Sequence, residues 1–253
     1  MKKLLVLGLI AGFAFNATAD NHSESTAEMV KMAMKSDLRS SADTDRDRNR
    51  RPVETLEFLG FEHDMKVVEL LPGGGWYTQL LAPVLKQHGE LFVAIGTGRL
   101  ETMIKSNEAL SAVKVAAKES KLYRKDGERF YSLDNADLGV KNTDMVLTFR
   151  NYHNFSKVGR MAMNEAAWDA LKMGGIYGVV DHTRRHMEGD NDENRRRVDP
   201  VLAILEIQKA GFELVDYSDL HYRADDELEY EVGRKSVTGN TDRWTLKFKK
   251  VKK

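Results

Sequence analysis

The sequence predicts an α/β fold with a mainly parallel sheet and an antiparallel pair of strands at its C-terminal edge. Three observations carry this. Apolar runs of strand length alternate with segments of helical spacing through most of the chain, a glycine turn and a helix follow the first run at once, and two strands stand in succession at the end. Strands separated by helices pair in parallel, whereas neighbours without a helix between them form an antiparallel pair.

At the N-terminus, Lys2 and Lys3 precede an apolar run over 4–15 and then Asn16-Ala17-Thr18-Ala19-Asp20. This is the order of a basic region, an apolar region and an Ala-x-Ala cleavage site. The run is shorter than the roughly 20 apolar residues that a membrane-spanning helix needs. Residues 1–19 are therefore expected to be a cleaved signal peptide, with no membrane insertion afterwards and a periplasmic or secreted mature chain. The 253 residues contain no cysteine, which excludes disulfides and thiol chemistry. Lys and Arg number 39, as do Asp and Glu. No global field draws the chain to nucleic acid, aromatic–basic interleaving is lacking, and the expected partner is a small molecule.

Residues 20–52 form a polar arm with an amphipathic stretch over 28–35 and a charged run over 45–52. Such a segment buries little apolar surface and reads first as a solvated leader. The competing reading is a helical arm over a pocket, with charges paired at i,i+4 and arginines available to a carboxylate. The folded domain is expected to span 53–253. Val53, Leu56, Phe58 and Leu59 give a helical face ending at Gly60, and 65–71 reads as a buried strand. Pro72-Gly73-Gly74-Gly75 follows, and Tyr77, Leu80, Leu81, Val84 and Leu85 then fall at helical spacing, with Pro83 as a kink or an end. A strand over 90–95 runs into Gly96-Thr97-Gly98 and a helix over 100–110. Between 118 and 138 there is one strand or two short ones. Strand 144–149, helix 158–172, a turn at Met173-Gly174-Gly175, strand 176–180, helix 200–210 and strands 212–220 and 243–248 complete the order.

Over 67–77, 144–154 and 171–182 the chain resembles class I S-adenosylmethionine-dependent methyltransferases, in particular a bacterial group of exported members. The resemblance runs in motif order from about 46 to 249. Glu69-Leu70-Leu71-Pro72-Gly73-Gly74-Gly75-Trp76 is similar to the family's first motif, an acid before a glycine-rich turn. Met173-Gly174-Gly175-Ile176-Tyr177-Gly178-Val179-Val180 looks like its Pro-Gly-Gly turn and fifth strand, with Met173 for the proline. The resemblance implies a Rossmann-like fold and S-adenosylmethionine as cofactor, beside Glu69, Pro72, Gly73, Gly74, Gly75 and Gly96, with the turn holding the methionine portion. Glycines let the backbone approach a ligand, and the helix behind them presents free N–H groups. One departure stands out. Many members end the second strand in an acid that grips both ribose hydroxyls, and here that place is Gly96, with Thr97 next and Glu101 a turn further on. Each lost charge-assisted hydrogen bond is worth about 1.5–3 kcal/mol.

Ligands in open α/β sheets bind at the C-terminal ends of the strands. Two such ends are polar: Arg150-Asn151-Tyr152-His153-Asn154 and Asp181-His182-Thr183-Arg184-Arg185-His186. In amino-methylating members the first of these loops carries an Asn/Asp-Pro-Pro-aromatic motif, which Asn151–Asn154 does not match, so the acceptor class is not implied. His153 and His182 are the candidate bases, since imidazole titrates near neutrality; a surface or structural role is the competing reading. Arg150, Asn151, Tyr152 and Arg184 are the candidate substrate contacts, and Arg243 or Asp242 could approach the same pocket. His153, Asp181, His182 and His186 offer metal ligands, but their spacing matches no metal signature and strand alternation would turn Asp181 and His182 apart. No metal is expected. The function read from these features is methyl transfer to a small, anionic acceptor. The alternative is a periplasmic binding or sensing module on the same fold that has lost or changed the cofactor.

Overall fold

In the computed structural model, residues 24–252 are described. The signal-peptide expectation for 1–19 lies outside the described residues. Among the described residues three short helices come first, α1 (Thr26–Met34), α2 (Ser41–Thr44) and α3 (Asp47–Arg50), before α4 (Pro52–Leu59). The alternating part follows as β1 (Lys66–Leu70), α5 (Thr78–Leu85), β2 (Glu90–Ala94), α6 (Gly98–Ser106) and β3 (Lys114–Ala116). Then come β4 (Lys121–Tyr123), β5 (Ser132–Asp134), β6 (Thr143–Phe149), α7 (Lys157–Ala170), β7 (Leu171–His182), α8 (Pro200–Lys209), β8 (Phe212–Ser218) and β9 (Arg243–Lys250).

Seven strands form one sheet in the order β3-β2-β1-β6-β7-β9-β8. The first five are parallel, and β9 inserts antiparallel between β7 and β8. The antiparallel C-terminal edge is thus as the sequence predicts. β4 and β5 pair separately, Leu122 opposite Leu133, which settles the ambiguous stretch as two short strands. The edge strand β3 has no sequence counterpart above: three residues are too few to show a period. Met173-Gly174-Gly175 does not precede β7 but lies within it, where pairing with β6 skips from Thr143–Leu171 to Met145–Ile176.

Both faces of the sheet are covered. Val67 of β1 packs with Leu56, Leu59, Leu80, Leu81 and Leu100, while Val68 packs with Met163, Val179, Ile207 and Phe248 on the opposite face. Successive side chains of a strand point to opposite sides, so one apolar run feeds two cores.

The arm is helical rather than a solvated leader. Ser25 and Ser40 cap α1 and α2, the latter through a reciprocal capping box with Asp43. Val30 and Ala33 join the core of α4 and α5. Arg39 grips Asp47 with two hydrogen bonds of 2.9 and 2.6 Å, and its side chain is fully buried. The indole of Trp76 donates to the Asp43 carbonyl at 2.9 Å, and the guanidiniums of Arg39 and Arg50 stand 4.9 and 4.3 Å from its ring. The partners that order the arm lie beside the glycine turn, beyond the reach of a local reading.

Candidate active site

β1, β6 and β7 end side by side; the glycine turn follows β1, Arg150–Asn154 follows β6, and Asp181–His182 closes β7. Three cavities open there among the described residues; one, of about 390 Å³, is lined by His153, Asn154, Arg124, Arg129 and Arg195, and the other two adjoin each other. The first of these two, of about 210 Å³, is lined by Glu69, Pro72, Gly73, Gly74, Trp76 and Arg50 among others. The second, of about 320 Å³, is lined by His153, His182, Thr241 and Arg243. Arg150 and Asn151 line both, so the two form one cleft.

Glu69 is buried at the end of β1 and accepts a hydrogen bond from Thr78 Oγ1 at 2.5 Å. Burial pushes its carboxyl up to about 7. A Cβ on Gly73 or Gly74 would meet nothing, so space lies above the turn. Gly75 acts differently: φ is +80° and a Cβ there would stand 2.7 Å from Leu100 Cδ1, so its role is the close approach of turn to α6. Gly96, with φ +66°, lines neither cavity; a Cβ there would lie 3.5 Å from Leu122 Cδ2, in the β4–β5 pair. Glu101 accepts from Thr97 Oγ1 at 2.6 Å.

His153 is held at both its ring and its backbone by one carboxylate. Its Nδ1 lies 2.6 Å from Asp181 Oδ1, and its backbone N–H donates to Asp181 Oδ2 at 2.9 Å. Asp181, fully buried, also accepts from the His182 N–H at 2.6 Å. This back-folded carboxylate overturns the expectation that Asp181 and His182 diverge, and the ligand atoms of His153, Asp181 and His182 lie within 4.8 Å of one another. The cluster has the reach of a metal site. Its chemistry points elsewhere, because both Asp181 oxygens are already hydrogen-bonded, Thr241 Oγ1 lies 2.8 Å from His182 Nδ1, and Arg150 and Arg243 add positive charge beside it. Burial, and then the charges of His153 and Arg243, hold His182 well below the usual imidazole range.

Tyr152, Arg184 and His186 fall outside the cleft. Tyr152 is fully buried, its hydroxyl donating to Glu206 Oε2 at 3.0 Å and accepting from Asn164 at 2.9 Å, so it belongs to the core beneath the loop. Arg184 pairs with Asp190 at 3.3 Å and lines neither cavity, and His186 meets Asp199 at 2.9 Å away from the cluster. Asn151 holds its loop by donating to the carbonyls of Leu71 and Phe149. Arg46 and Arg50 of the arm line the glycine-turn cavity, in keeping with the reading of the arm as a helical cover whose arginines reach a pocket, whereas Tyr77 and Phe149, stacked with ring centroids 3.5 Å apart, stand out in the sequence only as apolar positions. The four-residue spacing of Arg46 and Arg50 puts both on one helix face.

No protein-family model and no curated protein matches the sequence. Solved structures do match. A SAM-dependent methyltransferase from Aquifex aeolicus superposes with a TM-score of 0.56 at 11% identity, over 89% of this chain and 98% of its own. The fold is the Rossmann-like class I methyltransferase fold. The glycopeptide N-methyltransferase MtfA complexed with sinefungin gives a TM-score of 0.53 at 11% identity, covering 81% of this chain and 87% of that one. The cyclase SpnF gives 0.56 at 13%, covering 80% of each. A cyclase among them underlines that the shared fold does not set the reaction.

Proposed function

We propose that the protein is an exported methyltransferase that takes S-adenosylmethionine at the glycine turn and acts on a small, anionic acceptor held beside His153. One observation carries the reading: the Asp181-oriented imidazole of His153 lines a cavity that joins the glycine-turn cavity through Arg150 and Asn151. Such a cleft places two reactants in line, and alignment is a large part of the acceleration of a displacement.

The residues present fit the methionine half of the donor. Gly73 and Gly74 leave open backbone, α5 starts just behind them, and Glu69 stands at the turn. When bound there, the donor supplies an electrophilic methyl group. The protein's part is to hold and deprotonate the acceptor. With Nδ1 engaged by Asp181, Nε2 of His153 is the nitrogen left to take the acceptor proton, and the carboxylate steadies the imidazolium that forms. Trp76 and the arm residues Arg46 and Arg50 form one wall of the donor side.

A second reading rests on Gly96. No carboxylate stands at the end of β2, and Leu122 packs against that place. This favours a binding module on the same fold whose ligand lacks a ribose.

The test is transfer of labelled methyl from S-adenosylmethionine to a panel of small carboxylates and phosphate esters. Label should pass to an acceptor with the wild-type chain and be lost with His153→Gln, whereas the same transfer by both would remove His153 from the chemistry.

A further inference from the structure

The arginine-rich loop over 184–197 attracts attention in the sequence, yet its charges are largely matched. Arg184 meets Asp190, Arg185 meets Glu229, Arg196 meets Glu231, and Arg197 meets Asp226 through two bonds of 2.9 Å with both side chains fully buried. Three other arginines differ. Arg50 comes from the arm, Arg150 from the end of β6 and Arg243 from the start of β9, and no carboxylate lies within ion-pair distance of any of them among the described residues.

Arg50 and Arg243 are only 8% and 5% exposed, and the Nε of each is buried without a hydrogen-bond partner. Arg50 and Arg150 face one cavity, Arg150 and Arg243 the other. Burial first, and then mutual repulsion within the trio, pull the guanidiniums of Arg50 and Arg243 down to about 9 and about 10. Asp181 offsets part of this charge at Arg150 and Arg243 but is committed to His153 and two backbone N–H groups, while burial pushes Glu69 up to about 7 and Tyr77 up to about 12. A buried cationic cluster with less counter-charge than it carries is costly unless a ligand supplies the rest.

We propose that Arg50, Arg150 and Arg243 form a preformed oxyanion site for a phosphate-type dianion, which anchors the substrate beside His153. A planar carboxylate satisfies one guanidinium fork, whereas a tetrahedral oxyanion offers oxygens to donors converging from three elements. The dianion is matched to an excess of positive charge. As regards the role in catalysis, the inference rests on the proposed function; the binding site itself does not. Because Arg50 belongs to the arm, occupancy also ties the arm to the sheet.

The test is thermal unfolding and calorimetric titration of the whole chain with inorganic phosphate at fixed ionic strength, comparing wild type, Arg150→Gln and the surface control Arg185→Gln. Wild type and Arg185→Gln should show a saturable rise in Tm of several degrees. Arg150→Gln should bind about tenfold or more weakly, and without phosphate should melt no lower than wild type, because a repulsion is relieved. An equal response in Arg150→Gln, or no heat and no shift in wild type, would overturn the proposal. Titration with saturating S-adenosylhomocysteine present separates two sources of oxyanion. Undiminished phosphate affinity is expected, and direct competition would assign the trio to the donor's own carboxylate and overturn an acceptor site. Failure of S-adenosylhomocysteine to bind counts against methyl transfer alone, since the phosphate titration stands without it.

Discussion

Asp181 Oδ1 and His153 Nδ1 stand 2.6 Å apart at the ends of neighbouring parallel strands, and the same carboxylate accepts the backbone N–H of His153 and of His182. The side chain therefore fixes both the base and the loop that carries it. His153→Gln should lower turnover by about 10²–10⁴-fold while leaving donor affinity unchanged. Asp181→Ala should do that and also destabilise the fold by about 2–4 kcal/mol, because two buried N–H groups lose their acceptor. Urea unfolding beside single-turnover kinetics separates the two effects.

Glu69 gives a stability signature. Its folded carboxyl titrates near 7 against 4.5 for the unconstrained group. Between these values the native state keeps a proton that the unfolded chain has released. The contribution is fully present below pH 4.5 and is lost as pH rises through about 7, a swing of about 3 kcal/mol. Glu69→Gln should flatten that dependence and be the more stable protein at pH 8, as read by urea unfolding at pH 5 and 8.

His221 works in the opposite sense. Its Nδ1 lies 2.7 Å from Thr245 Oγ1 and its Nε2 3.0 Å from the Arg50 carbonyl, and burial pulls it from 6.5 down to about 4. The stability it contributes is present above pH 6.5 and is lost as pH falls through about 4, again about 3 kcal/mol. His221→Gln should be less stable at pH 7 and flatter over that acid range. Since His221 holds the Arg50 carbonyl, the arm should become protease-sensitive first.

Tyr152→Phe tests the placement of the tyrosine. Loss of its bonds to Glu206 and Asn164 should cost about 1–3 kcal/mol of stability with no change in ligand affinity. A large loss of affinity at unchanged stability would return Tyr152 to the cleft.

The strand–helix order was legible because burial on both sheet faces writes long apolar runs into the sequence. β1, β2, β6 and β9 stand within a few residues of where the runs place them. β3 was not legible, being three residues long at the sheet edge. The glycine turn and His153 could be read as candidates, but the His153–Asp181 pair is a contact across 28 residues that no spacing rule gives. Tyr152 shows the limit most clearly: one residue from His153 in a polar loop, it turns inward to a buried network formed with Glu206 and Asn164. The arm misled for the same reason. Its composition is that of a solvated segment, and its order comes from Trp76, Leu80 and Arg243, distant in the chain.

The most direct test of the methyl-transfer reading is calorimetric titration with S-adenosylmethionine and, separately, S-adenosylhomocysteine. Micromolar binding of both, equivalent to about −8 kcal/mol, is the expected result and would mean that the glycine turn compensates for the missing acid at Gly96. No heat from either ligand at millimolar concentration would contradict methyl transfer and leave the cleft to an anionic ligand alone.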